Sequence, residues 1–371
     1  MSSHQEHEGG ALTLDFVTVD VFTTQRYRGN PLAVVLVPAA LSERLPKEAK
    51  QRIAREFNLS ETVFLHVPDS ASTRRMSVDG QKAPCRADIF TTETELPFAG
   101  HPSIGTAHLI MNHLRWDTNA LQLKAGIFPI RRLPGSHAQS GSPDPVQITV
   151  AHDLHIHSRT LADVLQCQVE HLDSPSLQKA HDAIVASLSL DEIIREAELK
   201  APAVSIVKGM TALLVKLPSL EHLSRVSTAS RLDFDEAVQG LLLDKGPWGS
   251  SFCYRYYYVP KDGRDGEAKG DGRNVDKDRK SVEHIRARMV ELASEDPATG
   301  SAAVTLGAYL AMQEQAGRDM TRFEITQGVE MGRKSDIVVE VKSKLENGLA
   351  NIEKVSLGGS AVIAMTGTVQ L

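Results

Sequence analysis

Two near-duplicate segments stand 200 residues apart in this 371-residue chain (301 minus 101). The first runs Pro97-Phe98-Ala99-Gly100-His101-Pro102-Ser103-Ile104-Gly105 into the apolar stretch 106–111. The second runs Glu295-Asp296-Pro297-Ala298-Thr299-Gly300-Ser301-Ala302-Ala303 into 304–312. Aligned, Gly100 meets Gly300 and His101 meets Ser301, each opening an apolar helix. The separation is too long for a solenoid repeat. It predicts two similar lobes, each presenting a helix N-terminus led by glycine. Such an end collects backbone N–H groups without helical partners and attracts anions. Two of them on opposed lobes would form a cleft that grips a carboxylate.

Period-2 patterning predicts strands at 12–22 and 32–37, joined as a hairpin through Arg28-Gly29-Asn30-Pro31, and others at 63–67 and around Met76 and Ile89-Phe90. Residues 46–57 carry Ala49, Ile53 and Phe57 four apart, with Pro46 in the first turn, and read as a surface helix. The helix after Gly100 is apolar on most sides, which predicts burial inside a curled sheet. Residues 132–145 are rich in Gly, Ser and Pro and read as a linker. Strands follow at 146–150 and on both sides of Gly209 within 203–217, with helices at 161–169, 177–188 and 232–243. The end of the chain is strand-rich at 323–325, 337–341, 355–357 and 361–365, with Gly358-Gly359 and Gly367 as breaks. Residues 1–10 read as a disordered tail without signal-peptide character. The charged stretch 261–280 lacks apolar anchors and reads as a mobile solvated loop.

The chain has 41% hydrophobic and 24% charged residues, as in ordinary globular proteins. Its net charge of −6 disfavours general nucleic-acid binding, and no apolar run reaches membrane-spanning length. Cys85, Cys167 and Cys253 are odd in number and scattered, which points to a reducing compartment, with the cytoplasm as the default. No metal-ligand spacing, P-loop or GxGxxG after a strand stands out, so neither a metal nor a nucleotide cofactor is expected.

Five segments in order resemble the PhzF family of phenazine biosynthesis-like isomerases. They are Asp20-Val21-Phe22-Thr23 with Gly29-Asn30-Pro31-Leu32-Ala33-Val34, the run from Asn58 through Glu61 to Leu65, the run from Leu96 to Pro102, the run from Glu295 to Ala302, and Gln327-Gly328 with Gly332-Arg333. The resemblance implies an α+β, diaminopimelate-epimerase-like fold. Two pseudo-symmetric lobes are expected, each a curled, mostly antiparallel sheet or barrel around a central helix, with the active site between them. The first lobe is expected over 11–130 and 355–371, and the second over 146–354 with a loop inserted at 261–282. The chain exceeds the family's usual length. The additions are expected in the tail, at 132–145, in part of 152–200 and at 261–282. A homodimer is the family expectation.

The site residues follow from the same match. If 59–65 is extended, Glu61 shares an apolar face with Leu59, Val63 and Leu65, where desolvation raises its pKa toward general acid–base use. A solvated glutamate at a strand start is the simpler reading of spacing alone; the family match makes Glu61 the proton-transfer residue. His101 sits at a helix N-terminus, where a neutral ring is favoured, and resembles the family's substrate-binding and proton-relay histidine. His108 and His113 read as structural. Asp296 and Ser301 could serve only as local caps. The family pattern assigns Asp296 to binding and polarising the substrate, and Ser301 with the amides near Gly100 and Gly300 to holding its carboxylate. Glu295 is expected to point away. Thiol racemases of this fold need a cysteine near His101 and another near Ser301; neither is present. The expected activity is cofactor-independent movement of a proton within a small carboxylated metabolite. The alternatives are a thiol-independent epimerase, or a catalytically weak metabolite-binding or interaction protein.

Overall fold

The computed structural model describes residues 12–68, 82–133, 143–166, 175–229, 232–261, 282–290, 295–313, 319–346 and 349–371. The expected tail at 1–10, the strand around Met76, most of the 132–145 linker and residues 262–280 of the charged loop lie outside these residues. Contacts divide the described chain into two units. One draws on Met1–Tyr27, Pro31–Val146 and Ser360–Leu371, the other on Arg28–Asn30 and Gln147–Gly359.

The first unit holds β1 (Thr13–Val21), β2 (Asn30–Val37), α1 (Lys47–Phe57), β3 (Thr62–His66), β4 (Cys85–Phe90), β5 (Glu95–Leu96), α2 (Gly100–His108), β6 (Ala120–Leu123) and β7 (Gly126–Arg132). A π-helical turn, Leu109–Leu114, extends α2. Pro46 caps α1, whose apolar stripe packs with Leu14, Val35, Val37, Phe64 and Phe90. Lys50 on its inner face is buried and paired with Asp88 of β4 at 2.5 Å, and His66 reaches the same carboxylate oxygen at 2.9 Å. Strand β3 is buried along its whole length, because α1 and α2 both pack on it. It therefore lacks the polar alternation of a half-exposed strand.

The second unit opens with β8 (Val146–Val150), β9 (His155–Ile156), α3 (Leu161–Gln166), α4 (Pro175–Ser187) and α5 (Glu192–Lys200). Then come β10 (Ala203–Val207), β11 (Met210–Lys216), α6 (Leu220–Arg225), α7 (Glu236–Leu242), β12 (Phe252–Lys261), β13 (Val282–Val290), β14 (Glu295–Asp296), α8 (Gly300–Gln313), β15 (Met320–Gln327), β16 (Ser335–Glu346) and β17 (Leu349–Gly359). Last, β18 (Ala361–Gln370) returns to the first unit and pairs antiparallel with β1. Helix α8 touches β10 and β11 as well as β15, β16 and β17, so the sheet curls around it. The set α3 to α7 forms a separate apolar layer in which Leu161, Ile184, Ile194, Val238 and Leu242 pack with Leu213, Val215 and Tyr257.

The two units repeat one strand plan. In the first, β2 runs parallel to β3, β3 antiparallel to β4, β4 antiparallel to β5 and parallel to β6, and β6 antiparallel to β7. In the second, β11 through β16 take the same directions in the same order around α8. The fold is α+β with pseudo-symmetric lobes of curled sheet around helices.

Several local expectations change. The helix expected over 232–243 begins only at Glu236, because the Asp235 carboxylate caps it by accepting from the Ala237 and Val238 amides. Helices α5 and α6 were not anticipated; α5 is dominated by charged residues, and its short apolar stripe of Ile194, Ala197 and Leu199 packs on the core. The expected break at Gly358-Gly359 falls where β17 ends, whereas Gly367 lies inside β18 rather than breaking it. At Gly367 a Cβ would come 2.8 Å from the Phe16 ring, so the glycine admits an aromatic side chain. In α2, a Cβ on Gly105 would lie 2.7 Å from both Leu32 Cδ2 and Val21 Cγ2. Alanine there gains helix propensity of about 1 kcal/mol but must push apart two buried strands. We expect Gly105→Ala to lose net stability, by about 1–3 kcal/mol for overpacking, measured by urea denaturation. A stabilised variant would show that α2 sits less tightly on β1 and β2.

Candidate functional site

Each unit carries a polar pair at the N-terminus of its central helix. In the first, Glu61 stands one residue before β3 and His101 lies in the first turn of α2. His101 Nε2 is 3.4 Å from Glu61 Oε2, and the side chains are 7% and 16% exposed. The expected apolar face from Leu59 onward is not what buries Glu61, because the chain is extended only from Thr62. Burial comes instead from its place at the end of a strand covered on both faces. Glu61 Oε2 is buried without a hydrogen-bond partner. Burial pushes its carboxyl above the ordinary glutamate range, and the Ser60 hydroxyl only partly opposes this. No side chain caps α2, which starts after the extended Ala99.

In the second unit the corresponding pair is Tyr254 and Ser301. Strand register makes the correspondence explicit. Thr62 pairs with Phe90 and Arg255 pairs with Val290, while Phe90 pairs with Glu95 and Val290 with Glu295. The residue before Thr62 is Glu61; the residue before Arg255 is Tyr254. The Tyr254 hydroxyl donates to Ser301 Oγ at 3.2 Å, and burial raises its pKa far from neutral. Ser301 is not the N-cap that its residue type suggests, because α8 already begins at Gly300. Its hydroxyl lies in the first helical turn.

Asp296 is built into a network in the same unit. Its Oδ1 accepts from Asn30 Nδ2 at 2.8 Å, and its Oδ2 from the Thr299 hydroxyl at 2.6 Å. The fully buried Gln327 donates to the Asp296 carbonyl and to Thr299 Oγ1, and its own Oε1 accepts from Tyr256. Arg333 donates from Nε to the Gly29 carbonyl and from Nη2 to that of Arg28, which fixes the turn that supplies Asn30. Neighbouring Glu295 is engaged by Arg288 through two bonds of 2.7 and 2.8 Å. Sequence reasoning assigned no role to Asn30, Thr299, Gln327 or Arg333, although all four lie in the matched motifs. Tyr254 lies outside them and carries no local signal.

The sequence profile of the phenazine biosynthesis-like protein family, PhzC–PhzF, matches residues 19–242 and 276–367. The chain belongs to this family. An uncharacterized isomerase of Mesorhizobium japonicum is 31% identical over 359 residues, covering 94% of this chain and 96% of that one. A trans-2,3-dihydro-3-hydroxyanthranilate isomerase of Pseudomonas aeruginosa is 28% identical over 327 residues, covering 86% and 87%. A PhzF-family protein of Bacillus anthracis shares the fold at a TM-score of 0.65 and 19% identity, covering 97% of this chain and all of that one. In this PhzF-family chain, burial raises the Cys85 thiol and pushes Cys253 up to about 12, so neither is held as a thiolate. Cys167 lies outside the described residues. His108 is buried against His113 and kept neutral by desolvation. Among the described residues no helix is long and apolar enough to cross a membrane.

Glu61 also has a consequence for stability. Unfolded, it titrates at the ordinary glutamate value; folded, it titrates higher. Between those values the folded state holds a proton that the unfolded state has released, so stability is full below the ordinary value and falls as pH rises through the folded value. Glu61→Gln removes this loss. Its stability relative to wild type should rise in urea titrations as pH increases above the ordinary glutamate value. A constant difference would mean that Glu61 is not desolvated.

Proposed function

We propose that this protein is a cofactor-independent isomerase that moves a proton within a small carboxylated metabolite, with Glu61 as the proton shuttle. The observation that carries this reading is the buried Glu61 carboxylate with its raised pKa, 3.4 Å from the His101 ring. A carboxyl poised toward neutrality can both take a proton from carbon and return it. His101 binds the substrate and relays the proton. Asp296, oriented by Asn30 and Thr299, binds and polarises the substrate, and Ser301 with the amides around Gly100 and Gly300 holds its carboxylate or a developing enolate. The named activity of the Pseudomonas relative supports an isomerisation, and makes amino- and hydroxy-substituted cyclic dienoic acids the first compounds to test.

The test is solvent deuterium incorporation across a panel of such acids. Label at a new carbon identifies isomerisation, label at an existing stereocentre identifies epimerisation, and no label with retained binding identifies a metabolite-binding protein. For a turned-over compound, Glu61→Gln should keep binding and lower exchange by ~10²–10⁴-fold or more. Replacement of all three cysteines by serine should leave exchange largely intact. Undiminished exchange in Glu61→Gln, or its loss in the cysteine variant, would return a thiol mechanism to favour.

A second expectation concerns Tyr254. Tyr254→Phe removes the donor to Ser301 while keeping the ring. If the tyrosine orients the Ser301 hydroxyl toward a carboxylate, KM should rise several-fold with kcat little changed. An unchanged KM would assign the tyrosine to packing alone.

A further inference from the structure

The second unit gathers two histidines and an aspartate far in sequence from the motifs discussed above. His155 opens β9 and His157 follows its last residue, Ile156, still bonded from its N–H to the Ala203 carbonyl, so the two side chains leave the same face of the chain. Asp244 follows the end of α7. One donor atom from each of the three lies within 4.8 Å of the other two. We propose that His155, His157 and Asp244 form a binding site for a zinc-class divalent transition-metal ion, which pins β9 to the segment after α7.

The donor atoms follow from the hydrogen bonds. The backbone N–H of Asp244 donates to His157 Nδ1 at 3.0 Å, so that nitrogen carries a lone pair. Nε2 therefore carries the proton and donates to Ser205 Oγ at 2.9 Å. Ser205 is buried and bonded onward to Thr211 and then to Ser251, each at 2.6 Å. A ligating histidine usually gives its second N–H to such a partner, which fixes ring and tautomer. His157 Nδ1 is the ligand atom. His155 Nε2 lies 2.8 Å from Asp244 Oδ2, and its ring stacks on Trp248 at 4.6 Å and 9°. The other carboxylate oxygen, Oδ1, is held by the Ser158 hydroxyl at 2.6 Å.

Each ligand thus has its own outer support: Ser205 for His157, Ser158 for Asp244, and Trp248 for His155. Bonds to zinc of about 2.0–2.2 Å require donor separations of roughly 3.4 Å in a tetrahedral site. The ion would replace the His155–Asp244 hydrogen bond after an opening of about half an ångström, and would take the lone pair that now receives the Asp244 amide. Two neutral imidazoles and one carboxylate suit zinc, cobalt or nickel rather than calcium or magnesium. Side-chain exposures of 29% for His155 and 30% for Asp244 leave the fourth position open to water. Lys208, whose ammonium lies over the Trp248 ring, is paired with Asp153.

The experiment is zinc titration of the full-length protein by calorimetry and thermal shift, beside His155→Gln and Asp244→Asn. Wild type should bind one equivalent more than either variant, with a melting temperature that rises with zinc. In the variants this equivalent should weaken by at least ~10-fold, and Ser158→Ala should weaken it about 10–100-fold as an outer-shell change. Cobalt should give absorption bands of a low-symmetry site in wild type only. Equal uptake by wild type and both variants would place the zinc on other histidines, His4 and His7 of the N-terminal segment among them, and overturn the proposal. So would the absence of binding by wild type.

Discussion

An apolar helix enclosed by a sheet is the constraint on which each unit depends. Helix α8 buries Ala302, Ala303, Val304, Leu306, Ala308, Leu310 and Ala311, and α2 is buried from His101 through His108. A helix surrounded in this way has no side on which to display polar chemistry. Its N-terminus remains, where backbone donors lack helical partners. Both units place their polar pairs there, at matching register. The pairs differ in what they can do with a proton. Glu61 beside His101 is a carboxyl whose pKa burial raises, whereas the Tyr254 hydroxyl keeps its proton and donates to Ser301. The strand plan is shared, and residue identity divides the labour.

Asp296 shows how such a site is kept in place. Its two carboxylate oxygens are claimed by Asn30 and Thr299, so a rotation of the side chain breaks both bonds at once, and Gln327 holds its backbone carbonyl. The arrangement reaches across the sequence, since Arg333 fastens the turn that carries Asn30. Two donors, one on each oxygen, fix the orientation of the carboxylate.

Much of this was legible in the chain. The duplicated glycine-led segments announced two similar units, and alternation located most strands to within a few residues. Glu61, His101, Asp296 and Ser301 stood out because family motifs surround them. What escaped has a physical reason in each case. Glu61 is buried by tertiary contact, with His101 of α2 beside it, which no local pattern encodes. Tyr254 comes to Ser301 through strand register, and Asp244 comes to His155 and His157 across 89 and 87 residues, so neither contact has a sequence spacing to read. Capping by Asp235 delayed α7, and a close approach to Phe16 turned an expected glycine break at Gly367 into continuous strand.

The repeated strand plan also shows where the chain can change length. From Cys85 to His101 and from Ile285 to Ser301 the spacing is identical. Register offsets between the units differ on either side, being 193 from Thr62 to Arg255 and 204 from Leu121 to Ile325. One added residue would turn every later helical side chain by about 100°, or flip every later strand residue to the opposite face. The strand, turn and helix start that aim His101 and Ser301 form a ruler of fixed length, and growth is accommodated only outside it.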